Sequence, residues 1–154
     1  SRAVPNSQDL DRFSLNSWYQ MPEPKRRQVY NEIANSLVAQ TRRAHQGRFF
    51  HHDLKWRNIL VRTEDGHYST VWIDAPRASR MRLRETRGAI VDLAGLARIA
   101  LSLLSVYDRM RFIWRYLGEG RRPGDSKRLY RKVAANLSRR PPDPIQLPAR
   151  KPDQ

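Results

Sequence analysis

His51-His52-Asp53-Leu54-Lys55-Trp56-Arg57-Asn58 puts two imidazoles, a carboxylate, an ammonium, a guanidinium and a carboxamide into one short stretch, too many reactive groups for an ordinary connector. One chemistry that these types together would satisfy is phosphoryl transfer. A carboxylate is needed to take the proton of the attacking hydroxyl, and hard oxygen ligands are needed for magnesium. Asp53 and Asn58 meet those needs inside one loop, and Lys55, two residues on, neutralises charge on a group in transfer.

Downstream, the β-prone runs Ile59 to Arg62 and Ser69 to Ile73 flank Glu64-Asp65-Gly66-His67, and the Asp-Gly pair predicts a hairpin. A turn centred near Gly66 places Asn58 opposite Asp74 at the open end, so two oxygen ligands sit side by side. Upstream, Val29, Ile33, Leu37, Val38 and Thr41 recur at three and four, which predicts a helix over Pro24 to His45 that ends at Gly47. Further on, Ile90 to Leu104 is apolar nearly all round and predicts a buried central helix carrying Asp92, a carboxylate that then needs partners. Helices are also predicted over Tyr107 to Leu117 and Ser126 to Leu137, the latter capped by Asp125 or Ser126. From Arg139 onward five of 16 residues are proline, so residues 139–154 are expected to be a disordered or extended Pro/Arg-rich tail.

Charge bounds the partners. The chain has 154 residues with 30 Lys+Arg against 15 Asp+Glu, a formal net charge of +15. That calls for an anionic partner without choosing among nucleic acid, membrane, phosphorylated substrate and ATP. No recognised nucleic-acid motif accompanies it. The absence of cysteine excludes a disulfide framework, a thiolate nucleophile and a Cys-bearing zinc site. The spacing of His45, His51, His52 and His67 fits no standard zinc pattern. No transmembrane helix is read, since the most apolar window, Ala89 to Tyr107, contains Asp92 and Arg98.

The loop resembles the H-x-D-L-K-x-x-N catalytic loop of protein-kinase-like enzymes. More narrowly, HHDLKWRNILV followed by WIDAPRA is similar to the bacterial lipopolysaccharide kinase family, the Kdo and heptose kinases and their weak-acid-inducible relatives. The likeness covers roughly Ser1 to Leu137. It implies an α+β, mainly α fold, the C-terminal lobe of a protein-kinase-like domain with one β-hairpin. Residues 1–11 would be a hinge-like segment and 12–138 the lobe. The glycine-rich loop, strand lysine and helix glutamate of the N-terminal lobe are missing from the sequence, so the chain is expected to be an incomplete, inactive fragment by itself.

The same resemblance implies an ATP- and Mg²⁺-dependent kinase that phosphorylates a Kdo or heptose hydroxyl of the lipopolysaccharide inner core. Asp53 would be the catalytic base, Asn58 and Asp74 the metal ligands, and His51 and Asp92 structural props of the loop. Ala3 and Val4 would meet adenine. Arg77, Arg80, Arg82, Arg84 and Arg87 fall where an anionic glycolipid would enter, although such a run also suits a solvated face. The implied location is cytoplasmic, with peripheral contact at the inner membrane through Arg121, Arg122, Lys127, Arg128, Arg131 and Lys132. One departure is Asp74-Ala75-Pro76 in place of Asp-Phe-Gly. An alternative of another class is a non-catalytic kinase-like module that binds an anionic lipid or a protein partner.

Overall fold

Residues 7–75, 78–80 and 85–151 are described by a computed structural model. The apolar spacing after Pro24 forms helix α2 (Lys25–Gln46), whose buried face carries Val29, Ile33, Leu37, Val38, Thr41 and, one turn later, His45. The apolar run forms α3 (Glu85–Leu103). Helix α4 (Val106–Leu117) starts where Ser105 Oγ accepts the Asp108 N–H and stops at Gly118, whose φ of 72° is open to glycine. Helix α5 (Asp125–Arg139) differs from the expectation at its start: Gly124 is the N-cap, and Asp125 sits in the first turn, its carboxylate accepting the Arg122 N–H at 2.7 Å. Leu37, Leu93, Leu96, Ile113, Val133 and Leu137, drawn from α2 to α5, share one buried cluster. Each such side chain contributes about 1.5–3 kcal/mol on burial.

The hairpin consists of β3 (Ile59–Glu64) and β4 (His67–Trp72), paired antiparallel from Glu64↔His67 to Ile59↔Trp72. Asp65 and Gly66 both have positive φ, 49° and 77°, the requirement of a two-residue type I′ turn. The turn is therefore centred between those two residues and not on Gly66. This corrects the predicted register by one place: Asn58 faces Ile73, whose N–H donates to Asn58 O at 2.9 Å, and Asp74 lies one residue beyond the pair.

Three short strands and a helix have no counterpart in the predicted elements. Strand β1 (Ser7–Asp9) pairs with β3, giving the sheet order β1-β3-β4. Helix α1 (Leu10–Asn16) follows directly, with Asp9 accepting the Arg12 N–H at 2.9 Å, and it runs through residues 11 and 12. Strand β2 (Phe49–Phe50) pairs with β5 (Ser79–Arg80), which returns the segment after Asp74 to the entry of the polar loop.

Side chains of α2 line the outer edge of β4 in place of another strand. Glu32 accepts the Tyr68 N–H at 2.8 Å, Ser36 accepts the Thr70 N–H at 2.9 Å, and Gln40 Nε2 donates to Thr70 O. After Arg139 the described residues form no helix or strand. Gln20 nevertheless holds residues 149–151 back on the body, donating to Ala149 O at 3.1 Å and accepting the Lys151 N–H at 2.9 Å. Among the described residues no helix is long and apolar enough to cross a membrane.

Candidate active site

The polar loop between β2 and β3 is fixed to α3 at three points on one helix face. Asp92, fully buried, is the first. Its Oδ1 accepts the His52 N–H at 2.7 Å, and its Oδ2 accepts the His51 N–H and His45 Nε2, each at 2.9 Å. Gly95, three residues along, is the second: a Cβ there would lie 2.6 Å from Leu54 O, so the loop backbone rests against the helix where a side chain is missing. Trp56 is the third, its indole N–H donating to Leu96 O at 2.7 Å. A buried carboxylate must find donors, and these donors are the loop itself.

Within the loop, His51 is buried and its ring joins both ends of the site. Its Nδ1 accepts the Asp53 N–H at 3.3 Å, so the ring proton is on Nε2, which donates to Ile73 O at 3.1 Å, the residue before Asp74. His52 takes a left-handed φ of 64°, uncommon for a non-glycine residue, and its Nε2 meets Ser79 Oγ at 2.8 Å.

Asp53 is partly exposed. Its Oδ1 lies 2.9 Å from Lys55 Nζ, and Asn58 Nδ2 donates to its backbone O at 2.8 Å and to Oδ2 at 3.3 Å. Partial burial works to raise the Asp53 carboxyl, but the hydrogen bond and charge of Lys55, with Arg57 and Asn58 behind it, outweigh that and hold it below the usual carboxylate value. Asn58 is buried, and among the described residues its two side-chain hydrogen bonds both use the amide nitrogen, so the carboxamide oxygen is the atom it can offer a ligand. Asp74 sits just past the hairpin, exposed, with φ 52°. The left-handed turn at Asp74 ends the strand.

Asn58 and Asp74 offer hard oxygens of the kind magnesium takes, and two protein ligands suit an ion that keeps water and phosphate oxygens for the rest. Among the described residues no group of three or more His, Cys, Asp or Glu is placed to hold a metal; His67 stands apart, 3.5 Å from Glu32. Arg80 and Arg87 are exposed, Arg80 in the β2–β5 pair and Arg87 in the first turns of α3. Ala3, Val4, Arg77, Arg82 and Arg84 lie outside the described residues.

Residues 1–116 match the sequence profile of the lipopolysaccharide kinase (Kdo/WaaP) family. The chain belongs to that family. Its fold agrees: a solved structure of WaaP in complex with acyl carrier protein superposes with a TM-score of 0.70 at 21% identity, covering 89% of this chain. The chain spans 58% of the length of that WaaP chain. No curated protein sequence matches it.

For this lipopolysaccharide kinase family member, the loop, the hairpin and Asp92 were readable from residue types and spacing. The parts played by His45, Tyr116 and Gly95 were not. His45 continues the buried 37-41-45 row of α2, a position where a polar ring signals an internal partner. Gly95 is a glycine inside an otherwise unbroken apolar helix pattern, and such a glycine often marks a close approach of another backbone.

Proposed function

We propose that the chain carries the acceptor-side half of an ATP- and Mg²⁺-dependent kinase that phosphorylates a Kdo or heptose hydroxyl of the lipopolysaccharide inner core. The observation that carries this reading is the pairing of Asp53 with Lys55 and Asn58 on a loop whose backbone N–H groups are held by buried Asp92. Asp53, ionised at neutral pH, orients the acceptor hydroxyl and takes its proton as the oxygen attacks phosphorus. Lys55 offsets negative charge beside it, and Asn58 and Asp74 would hold the metal. Bound magnesium–ATP supplies the phosphoryl group and neutralises its charge. Exposed Arg80, paired with Phe49 just before the loop, and exposed Arg87 would contact an anionic glycolipid; Arg77, Arg82 and Arg84 belong to the same proposed contact by sequence position.

In the full-length protein, Asp53→Ala is expected to lower phosphate transfer from ATP to purified lipopolysaccharide core by at least about 10²-fold, in the range of general-base catalysis. Retained transfer would refute the assignment of Asp53, and a wild-type protein that binds the core but transfers nothing would favour the non-catalytic module.

A partner follows from a separate observation. An apolar cavity of about 120 Å³ lies between the helices, lined by residues such as Leu37, Leu93, Ala97, Ala100 and Phe112 and reaching Trp56 of the loop. It is not where the phosphotransfer groups lie. Since the WaaP neighbour was solved with acyl carrier protein, we propose that this cavity receives an acyl chain presented by such a carrier.

A further inference from the structure

We propose that Tyr116 is a positioning residue for the catalytic loop, acting through His45 on the carboxylate that holds the loop backbone; this rests on the reading of that loop as the phosphotransfer site. The Tyr116 hydroxyl lies 2.7 Å from His45 Nδ1, while the other ring nitrogen, Nε2, lies 2.9 Å from Asp92 Oδ2. The same Oδ2 accepts the His51 N–H, and Oδ1 accepts the His52 N–H. A hydroxyl on α4 is thus connected through one imidazole and one carboxylate to the two residues that precede Asp53.

With the His45 ring in its neutral form, the direction of each bond follows from the tautomer. A neutral imidazole carries one proton, so His45 donates from Nε2 to Asp92 only if Nδ1 is the acceptor. The His45 side chain is 6% exposed, and an Nδ1 left unmet there would be an unpaired buried acceptor. Tyr116 meets it with its O–H. The phenol keeps that proton, because burial and then the Asp92 charge push it up to about 12, with Arg42 opposing. The hydroxyl therefore selects the tautomer that donates to Asp92.

Packing holds the ring in place. His45 stacks on Phe50, the residue before the loop, at 4.8 Å between centroids, and meets the Tyr116 ring edge-on at 5.6 Å. Helix α4 ends two residues after Tyr116 at Gly118, where a Cβ would run into the Arg42 guanidinium of α2, so the end of α4 lies close on α2. Tyr116 touches none of the phosphotransfer residues, and its influence on them passes through His45.

The test uses Tyr116→Phe in the full-length protein, a change that keeps the ring and removes one hydroxyl. Amide hydrogen exchange at His51 and His52 is expected to quicken about tenfold, the equivalent of one lost hydrogen bond, while amides of the β3–β4 hairpin exchange as before. Transfer of phosphate from ATP to lipopolysaccharide core is expected to show kcat lowered about three- to tenfold with KM for ATP within about twofold. His45→Gln supplies a side-chain N–H that needs no help from Tyr116, so in that background Tyr116→Phe is expected to leave exchange at His51 and His52 unchanged. Unchanged exchange in the single variant, equal quickening across the whole chain, or an effect that persists in the His45→Gln background would each overturn the proposal. A wild-type protein that transfers no phosphate overturns instead the phosphotransferase reading, on which the exchange result does not depend.

Discussion

Replacing Gly95 with alanine tests how tightly the loop is set on α3. An added Cβ would lie 2.6 Å from Leu54 O, 3.0 Å from Leu54 C and 3.5 Å from Leu54 N. Ordinary carbon–oxygen contacts are about 3.3–3.6 Å, so the loop backbone would have to retreat by about 0.7–1 Å. It has little room to do so. Leu54 is fully buried, and the backbone on either side of it is tied to α3, by Asp92 before it and by Trp56 after it. Overpacking costs about 1–3 kcal/mol, and with backbone on both sides of the clash the upper end applies. Alanine returns about 1 kcal/mol of helix propensity. The net is a loss of about 2 kcal/mol, a fall in Tm of about 4–8 °C by circular dichroism for a domain of this size. Gly120, with nothing within 4 Å of an added Cβ, is the control, and Gly120→Ala is expected to stay within about 0.5 kcal/mol of wild type. A Gly95→Ala protein with Tm at or above wild type would refute the reasoning.

Two further outcomes are expected. The Tyr68 N–H, bonded to Glu32, is the chief influence holding that carboxyl below its ordinary value. A depressed carboxylate stabilises above its unfolded pKa and loses the contribution as pH falls through the folded one. Glu32→Gln should therefore lower Tm by about 1–3 °C at pH 7, with the difference from wild type shrinking as pH falls below the ordinary carboxylate range; a gap that is constant with pH would show that charge is not the cause. Ala100→Phe fills the apolar cavity and is expected to weaken binding of an acyl-loaded carrier protein at least about tenfold by calorimetry while the unloaded carrier is unaffected; equal affinity of the variant for the loaded carrier would remove the cavity from consideration.

What sequence reasoning reached, and what it missed, follows from the range of each signal. The α2 and α3 patterns repeat over many residues, so their elements were legible. Asp-Gly announced the hairpin, yet reading its turn as centred on Gly66 shifted the register by one, because the type I′ geometry uses Asp65 and Gly66 equally. Strands β2 and β5 are two residues each and leave no periodicity to read. Strand β1 and the first two residues of helix α1 fall inside the expected hinge-like segment 1–11, although Asp9 before Leu10 is a cap signal. In the site, Asp92 was legible as a charge in an apolar helix that needed donors. Its third donor, His45, and the hydroxyl behind it, Tyr116, come from other helices, and only the tertiary arrangement brings them together.

The row of Glu32, Ser36 and Gln40 on α2 bears on how the molecule behaves in company. A small sheet ordinarily ends in a strand whose unpaired amides and carbonyls invite a strand from another chain. Here the spacing of four residues along the helix sets three polar side chains along Tyr68 and Thr70, so β4 presents satisfied groups at that edge. The other edge of the hairpin is occupied by β1. Strand addition at the β4 edge is thereby opposed by the chain's own helix, and β1 is the remaining edge of the sheet.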